Sequence, residues 1–305
     1  MDYRPEGCIF RTPDNQRYIS SVDGLREAMV NGVILEAHAA MCTGEHDLII
    51  DLPCAKGIIP RTEGAIGVQE GTTRDIAVIS RVNKIVCFKV TALSCGDDGC
   101  IKAVLSRRSA QEECRRNYID ALKTGDIIDA RVTHLEKFGC FVDIGCGIPS
   151  MIPIDAISVS RIAHPSDRFS VGQMIKAVVS KIDGQRICLT HKELLGTWKQ
   201  NAEQYHSGET VPGVVRSVED YGIFVELSPN LAGLAEPKEN VMPGQSVSVY
   251  IKAVLPDKMK VKLVIVDVCP DIPSDRSMKY YIDAGHIDSW VYSTDESAKR
   301  ICTSF

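Results

Sequence analysis

Apolar and polar positions alternate with a period of two along much of the chain. Cys140, Val142 and Ile144 fall on one side of the stretch 139–146, with Phe141 and Asp143 on the other. Ile223, Val225 and Leu227 alternate in the same way with Phe224 and Glu226. Such alternation is the mark of a β-strand with one face on a core. Reading it along the chain predicts strands near 127–135, 139–146, 149–153, 174–182 and 186–190, and again near 210–218, 222–228, 232–236, 246–254 and 259–265. Two sets of five short strands, with turn residues between them, predict two small all-β barrels.

The two sets are copies of each other. "TGDIIDARVTHLEKFGCFVDI" lies over "SGETVPGVVRSVEDYGIFVEL" at an offset of 83 residues, whereas Gly172 matches Gly244 at an offset of 72, so the later copy has lost about eleven residues between its third and fourth strands. A more degenerate copy precedes them, with "NGVILEAHA" over "TGDIIDARV" and Gly32 on Gly125. The connectors "SAQEECRRNYIDALKTG" and "HKELLGTWKQNAEQYHSG" are rich in helix formers and read as short helices that space the barrels. The predicted organisation is an N-terminal extension over 1–24, a degenerate barrel over 25–110, a linker helix over 111–123, the clearest barrel over 124–192, a second linker helix over 193–206, a shortened barrel over 207–265 and a C-terminal extension over 266–305. In that extension, "MKYYIDAGHIDSWVYSTDESAKRICTSF" reads as a short helix followed by a strand or hairpin, with Trp290 and Tyr292 either buried against the last barrel or free to stack on a partner.

Composition narrows the functional classes. The 305 residues are 44% hydrophobic and 25% charged, as in an ordinary globular protein. No apolar run approaches the roughly 20 residues of a membrane span, and "MDYRPEGCIF" lacks a secretory pattern, so a cytosolic protein without membrane contact is expected. The twelve cysteines contain no CxxC pair and several lie in apolar strand patterns, such as Cys87, Cys140 and Cys188, which predicts reduced, buried thiols and no metal site. The formal net charge of -5 is carried mostly by the C-terminal extension, while residues 111–194 balance to zero. Without a strongly basic domain, any nucleic-acid binding has to come from a local site.

The opening Gly125, the "FGCFVDIG" strand, "VGQMIKAVV" and the closing "DGQRICLTHKEL" resemble the S-one domain, an RNA-binding OB-fold module named after a bacterial small-subunit ribosomal protein. The resemblance is good over 124–192, shortened over 207–265 and partial over about 30–108. As a whole, the chain resembles small multi-copy bacterial relatives of that ribosomal protein. It implies a mostly β fold of tandem five-stranded OB barrels. It also implies single-stranded RNA or mRNA as the partner, possible work on the ribosome, and no cofactor or small-molecule substrate.

The alternation supplies an independent reason for an RNA site. A barrel this small has one core, so Phe141 and Phe224 belong on its outside, where a ring can stack on a base for about 1–3 kcal/mol whatever the sequence. Phe138 and Tyr221, across Gly139 and Gly222, offer a second stacking surface. The competing explanation packs Phe138 under a loop and Phe141 on a neighbouring barrel. Carried over from the resembled family, the RNA site of the middle copy comprises Phe138, Phe141, Pro153 in place of a histidine, Asp183 and Arg186. Arg161, His164 and Arg168 in its long loop are candidates for phosphate contact.

In the last copy the same positions hold Tyr221, Phe224, Glu236, Asp257 and Lys260. With the long loop deleted and Glu236 unfavourable for phosphate, that barrel is either a weak RNA binder or a protein contact. The first copy lacks the aromatics. Its Arg61, Arg107 and Arg108 could still touch an RNA backbone, but a structural role is expected. No nucleophile, metal or phosphate-loop motif appears, and "GDDG" reads as a hairpin turn, so an enzyme is not expected. The competing class is a protein that joins the ribosome or another assembly through its barrel surfaces.

Overall fold

Each of the three repeats closes into a five-stranded barrel in a computed structural model that describes residues 3–96, 99–269 and 278–305. The first holds β1 (Leu35–Cys42), β2 (Leu48–Leu52), β3 (Ala55–Ile59), β4 (Ile85–Cys95) and β5 (Ile101–Ser106). The second holds β6 (Ile127–Glu136), β7 (Gly139–Asp143), β8 (Pro149–Pro153), β9 (Met174–Asp183) and β10 (Arg186–Thr190). The third holds β11 (Thr210–Glu219), β12 (Gly222–Ser228), β13 (Leu231–Ala235), β14 (Ser246–Leu255) and β15 (Lys260–Val268). In every barrel the first three strands form an antiparallel meander. The fifth strand then pairs parallel with the third and antiparallel with the fourth, which closes on the first. That order in a closed five-stranded barrel is the OB fold.

The expected strands are present with shifted ends. β7 stops at Asp143 rather than 146 because Gly145, Cys146 and Gly147 take positive φ angles of 149°, 48° and 74° and turn the chain away. β15 runs on to Val268. Of the expected "GDDG" turn, Asp97 and Asp98 lie outside the described residues.

Helices fill the extension and linkers where capping residues start them. Thr12 and Ser21 accept hydrogen bonds from the Asn15 and Gly24 amides at the heads of α1 (Pro13–Ile19) and α2 (Val22–Asn31). A single turn, α3 (Ile76–Ile79), lies between β3 and β4. The first linker forms α4 (Arg107–Asn117), opened by the Ser106 hydroxyl. The second forms a 3-10 turn and then α5 (Trp198–Ala202), which has a Thr197–Gln200 capping box.

The chain divides into two compact units, residues 1–122 with 143–149 and residues 123–142 with 150–305. In the first, Leu25 and Ala28 of α2 pack on Leu35, Leu48, Ile50, Phe88 and Leu105 of the first barrel. In the second, Val178, Leu194 and Trp198 share one apolar cluster with Val215, Val225, Ile251 and Leu263 of the third barrel. Trp290 and Tyr292 join that cluster, so both are buried. The tail around them forms the hairpin β16 (Ser289–Val291) and β17 (Cys302–Ser304). The expected helix is absent from described residues 278–305. That segment instead makes strand-like bonds along the second barrel: the Ile127 amide donates to the Gly285 carbonyl and the Ile287 amide to the Gly125 carbonyl.

All twelve cysteines are free thiols; Cys87 and Cys140 are buried and Cys188 is half-buried. No helix among the described residues is long and apolar enough to cross a membrane.

Candidate nucleic-acid interface

The hairpin between β6 and β7 carries the ring pair. Cys140 and Val142 point into the core with no exposure, while Phe141 is half-buried on the outer face and Phe138, at the turn, is 57% exposed. The two rings stand edge to face, 5.9 Å apart at 90°. His134 on β6 lies 6.4 Å from Phe141 at 31°, which extends the aromatic surface along the strand. The third barrel repeats the arrangement: Tyr221, 68% exposed, stands edge to face with Phe224 at 6.2 Å and 88°.

The glycine between each pair is there for a backbone reason. A Cβ on Gly139 would lie 2.6 Å from the Ile152 carbonyl oxygen, and one on Gly222 would lie 2.7 Å from that of Ala235. The strand after the hairpin passes too close for any side chain. Each glycine thereby keeps both rings on one hairpin.

The next outward position behaves differently from its alternation. Asp143 and Glu226 were expected to stand exposed beside the rings, and both are buried. Within the first unit, Asp143 accepts from the amides of Glu6 (2.7 Å), Gly145 (2.8 Å) and Gly147 (3.0 Å). Burial, reinforced by the nearby Glu6 carboxylate, pushes its carboxyl up to about 7. Glu226 accepts from Arg216 Nε (2.9 Å) and Nη2 (3.0 Å) and pairs with Arg168. An outward direction was legible in the strand, but another segment covers it.

The same contacts remove two arginines from the expected RNA contacts. Arg168 is 5% exposed and committed to Glu226, so it does not reach phosphate. Its loop is anchored on the third barrel, where the Val159 amide donates to Asn230 Oδ1 (2.9 Å) and the Ser160 amide to the Pro229 carbonyl (3.3 Å). Arg107 in the first unit is 2% exposed and donates to Glu6 at 2.6 and 3.1 Å. Burial pushes the Glu6 carboxyl up, but Arg107 outweighs it and holds the group below its ordinary range.

The other expected residues divide by exposure. Arg161, Asp183, Arg186 and Lys260 are exposed, with Asp183 and Arg186 paired across the β9–β10 turn. His164 uses Nδ1 to accept the Ser166 amide (3.1 Å), capping a 3-10 turn at Pro165–Asp167. In the first unit Arg61 pairs with Asp75 (2.7 Å) and Arg108 with Glu63 (3.2 Å). Position 49, opposite Met41 in the first barrel as Phe224 is opposite Ser217 in the third, is an isoleucine, so no ring pair forms there.

Strict alternation missed His134 because it continues inward from Ala130 and Val132. Both neighbouring barrels shift register at the matching point, between Ala39 and Met41 and between Val215 and Ser217, and His134 corresponds to Met41 and Ser217. Such a bulge re-aims the side chain to the outside.

Fold and site together define tandem OB barrels with a ring pair on the second strand of two of them. Residues 121–192 match the family model of the S1 RNA binding domain. The chain is similar to small ribosomal subunit protein bS1 of Staphylococcus aureus (strain MRSA252), 28% identical over 287 residues that make up 87% of this chain and 70% of that protein. It is also similar to bS1 of Staphylococcus epidermidis, 27% identical over 84% of this chain and 68% of that protein. Among solved structures it is similar to a multidomain protein with nucleic acid binding domains from Streptococcus pneumoniae, with 12% identity, a TM-score of 0.26 and coverage of 77% of this chain and 73% of that one.

Proposed function

We propose that the chain is a single-stranded RNA-binding protein of the bS1 type that acts by binding, without catalysis, in translation or mRNA handling. The observation that carries this reading is the exposed Phe138–Phe141 pair with His134 beside it, on a segment that matches the S1 RNA binding domain. Bases stack on Phe138 and Phe141, and Arg186 and Arg161 approach the backbone. Asp183 holds the β9–β10 turn beside Arg186. The similarity to bS1 over most of the chain supports work at the small ribosomal subunit in the cytosol. Because residues 111–194 carry no net charge, few phosphates are neutralised, and affinity falls only gently with salt.

The test is a titration of labelled oligouridylate with the full chain and with Phe141→Ala, at two salt concentrations. Binding that weakens on the substitution and changes little with salt supports the proposal. Preference for duplex RNA, or affinity indifferent to Phe141, removes it. Co-sedimentation with small ribosomal subunits, with and without the Phe138→Ala/Phe141→Ala pair, tests the ribosomal part separately.

A further inference from the structure

The third barrel keeps the ring geometry of the second and changes the charge at the turn that carries the first ring. At the turn before the first ring, Lys137 of the second barrel is replaced by Asp220, so that Glu219 and Asp220 together flank Tyr221. Both carboxylates are exposed, and among the described residues neither takes part in a hydrogen bond or ion pair. On the far side, Pro153 of the second barrel is replaced by Glu236, 68% exposed and held by Lys252 at 2.9 Å. His134 is replaced by the neutral Ser217. Between these acids lies a continuous apolar surface: Tyr221, Phe224, Leu234, which faces Phe224 in register, and Val218, with Tyr221 and Val218 both exposed.

A phosphodiester laid against Tyr221 would meet Glu219 and Asp220, whereas at the other end of the surface Glu236 is held by Lys252 and Lys262 lies in register with Leu234. Like charges at an interface suppress the wrong partner, and here they do so at the Tyr221 end. A guanidinium meets the opposite situation. Its plane stacks on the Tyr221 face, its charge is favoured by the ring quadrupole, and its donors reach the Asp220 or Glu219 carboxylate.

We infer that the aromatic face of the third barrel is a docking surface for an arginine-bearing, cationic protein segment. Tyr221 and Phe224 receive the side chains, and Glu219 and Asp220 select for positive charge. The segment binds as an extended chain across β12 and β13, where Leu234 and Val218 take its apolar atoms. Glu226 takes no part, because Arg168 and Arg216 already neutralise it. The inference uses the third barrel alone and stands whether or not the second binds RNA.

The experiment uses the full chain and three labelled probes in separate titrations: a flexible peptide of alternating glycine and arginine, its glycine–glutamate counterpart, and oligouridylate. The arginine peptide should bind and the glutamate peptide should not. Tyr221→Ala should weaken the arginine peptide by about fivefold or more, Tyr221→Phe should leave it nearly unchanged, and Tyr221→Leu should lose it like alanine, since only a ring offers the cation a π face. Asp220→Lys should abolish it. Phe141→Ala should not affect it, which separates this site from the second barrel. The inference is overturned if the arginine peptide is indifferent to Tyr221→Ala, if Phe141→Ala weakens it equally, or if oligouridylate is the probe that Tyr221→Ala releases.

Discussion

Arg168 of the second barrel and Glu226 of the third form a buried ion pair, with only 3% and 7% of their side-chain surfaces exposed. Arg216 completes the group, bonding Glu226 and reaching Asp167 at 3.4 Å. A buried charge that loses its partner is expensive, so Glu226→Gln, which leaves two guanidinium groups facing each other, should lower stability by about 3–5 kcal/mol. Arg168→Ala should cost somewhat less, because Arg216 still holds Glu226. Chemical denaturation of the two variants checks both values. Arg161→Ala serves as a contrast: it should leave stability unchanged and weaken RNA binding with a slightly shallower salt slope.

Phe141→Ala should weaken oligouridylate binding by about 1–3 kcal/mol with little change in stability, whereas Val142→Ala, one residue further on and fully buried, should do the reverse. Melting curves and titrations on the pair would show whether the faces of β7 are assigned correctly. A Phe141→Ala variant that melts earlier than Val142→Ala but binds normally would place the ring in the core.

Gly139→Ala should be more damaging than its size suggests. The added methyl would sit 2.6 Å from the Ile152 carbonyl oxygen, so β8 has to move away from β7. Because the displaced hairpin carries Phe138 and Phe141, stability and RNA affinity should fall together, in contrast to the separation expected for Phe141→Ala and Val142→Ala. Amide exchange across β7 and β8 would report the opening directly.

The two units should respond to pH in opposite senses. In the first, burial lifts Glu36 to about 7 and Asp143 to about 7, above their unfolded values near 4. The native state holds those protons more tightly, so stability present below pH 4 declines as pH rises toward 7. Glu6 lies below its ordinary range and titrates under this window. In the second unit, burial depresses His191 to about 4. Its Nδ1 donates to the Ile157 carbonyl (2.9 Å), and Nε2 accepts from the Tyr280 hydroxyl (3.2 Å), an arrangement only the neutral ring allows. Stability there is full above pH 6.5 and is lost as pH falls toward 4. Both tryptophans, Trp198 and Trp290, lie in the second unit. Between pH 6.5 and 4.5, denaturation followed by tryptophan fluorescence should therefore shift to lower denaturant, while the circular dichroism of the first unit shifts higher.

Most of the strand plan was readable because alternation is a property of each strand by itself. Cys140, Val142, Ile223 and Val225 face inward as read, and the two ring pairs emerge outside. What lies above an outward residue is a property of distant chain and leaves no mark on the strand's own alternation. Asp143 and Glu226 point outward and are nevertheless buried, and Arg168, a candidate for phosphate contact in the sequence, covers Glu226 instead. His134 was hidden for a different reason: it follows Ala130 and Val132 in the inward phase of β6 and is nevertheless exposed. The tail formed a hairpin rather than a helix first because Trp290 and Tyr292 join the third barrel's cluster, a tertiary preference that overrides local propensity.

Asn230 sits fully buried where the second and third barrels meet. Its carboxamide accepts from the Val159 amide and donates to the carbonyls of Lys192 and Gly196. A fragment cut at the repeat boundary near residue 206 would strip Asn230 of all three partners, remove Arg168 from Glu226 and bare the surface that Leu194 and Trp198 cover. The interval of sequence duplication and the interval of autonomous folding therefore differ. The smallest dissectible piece of this half of the chain is the barrel pair with its tail, and a deletion series that respects the 83-residue period would yield insoluble third-barrel fragments for reasons unrelated to ligand binding.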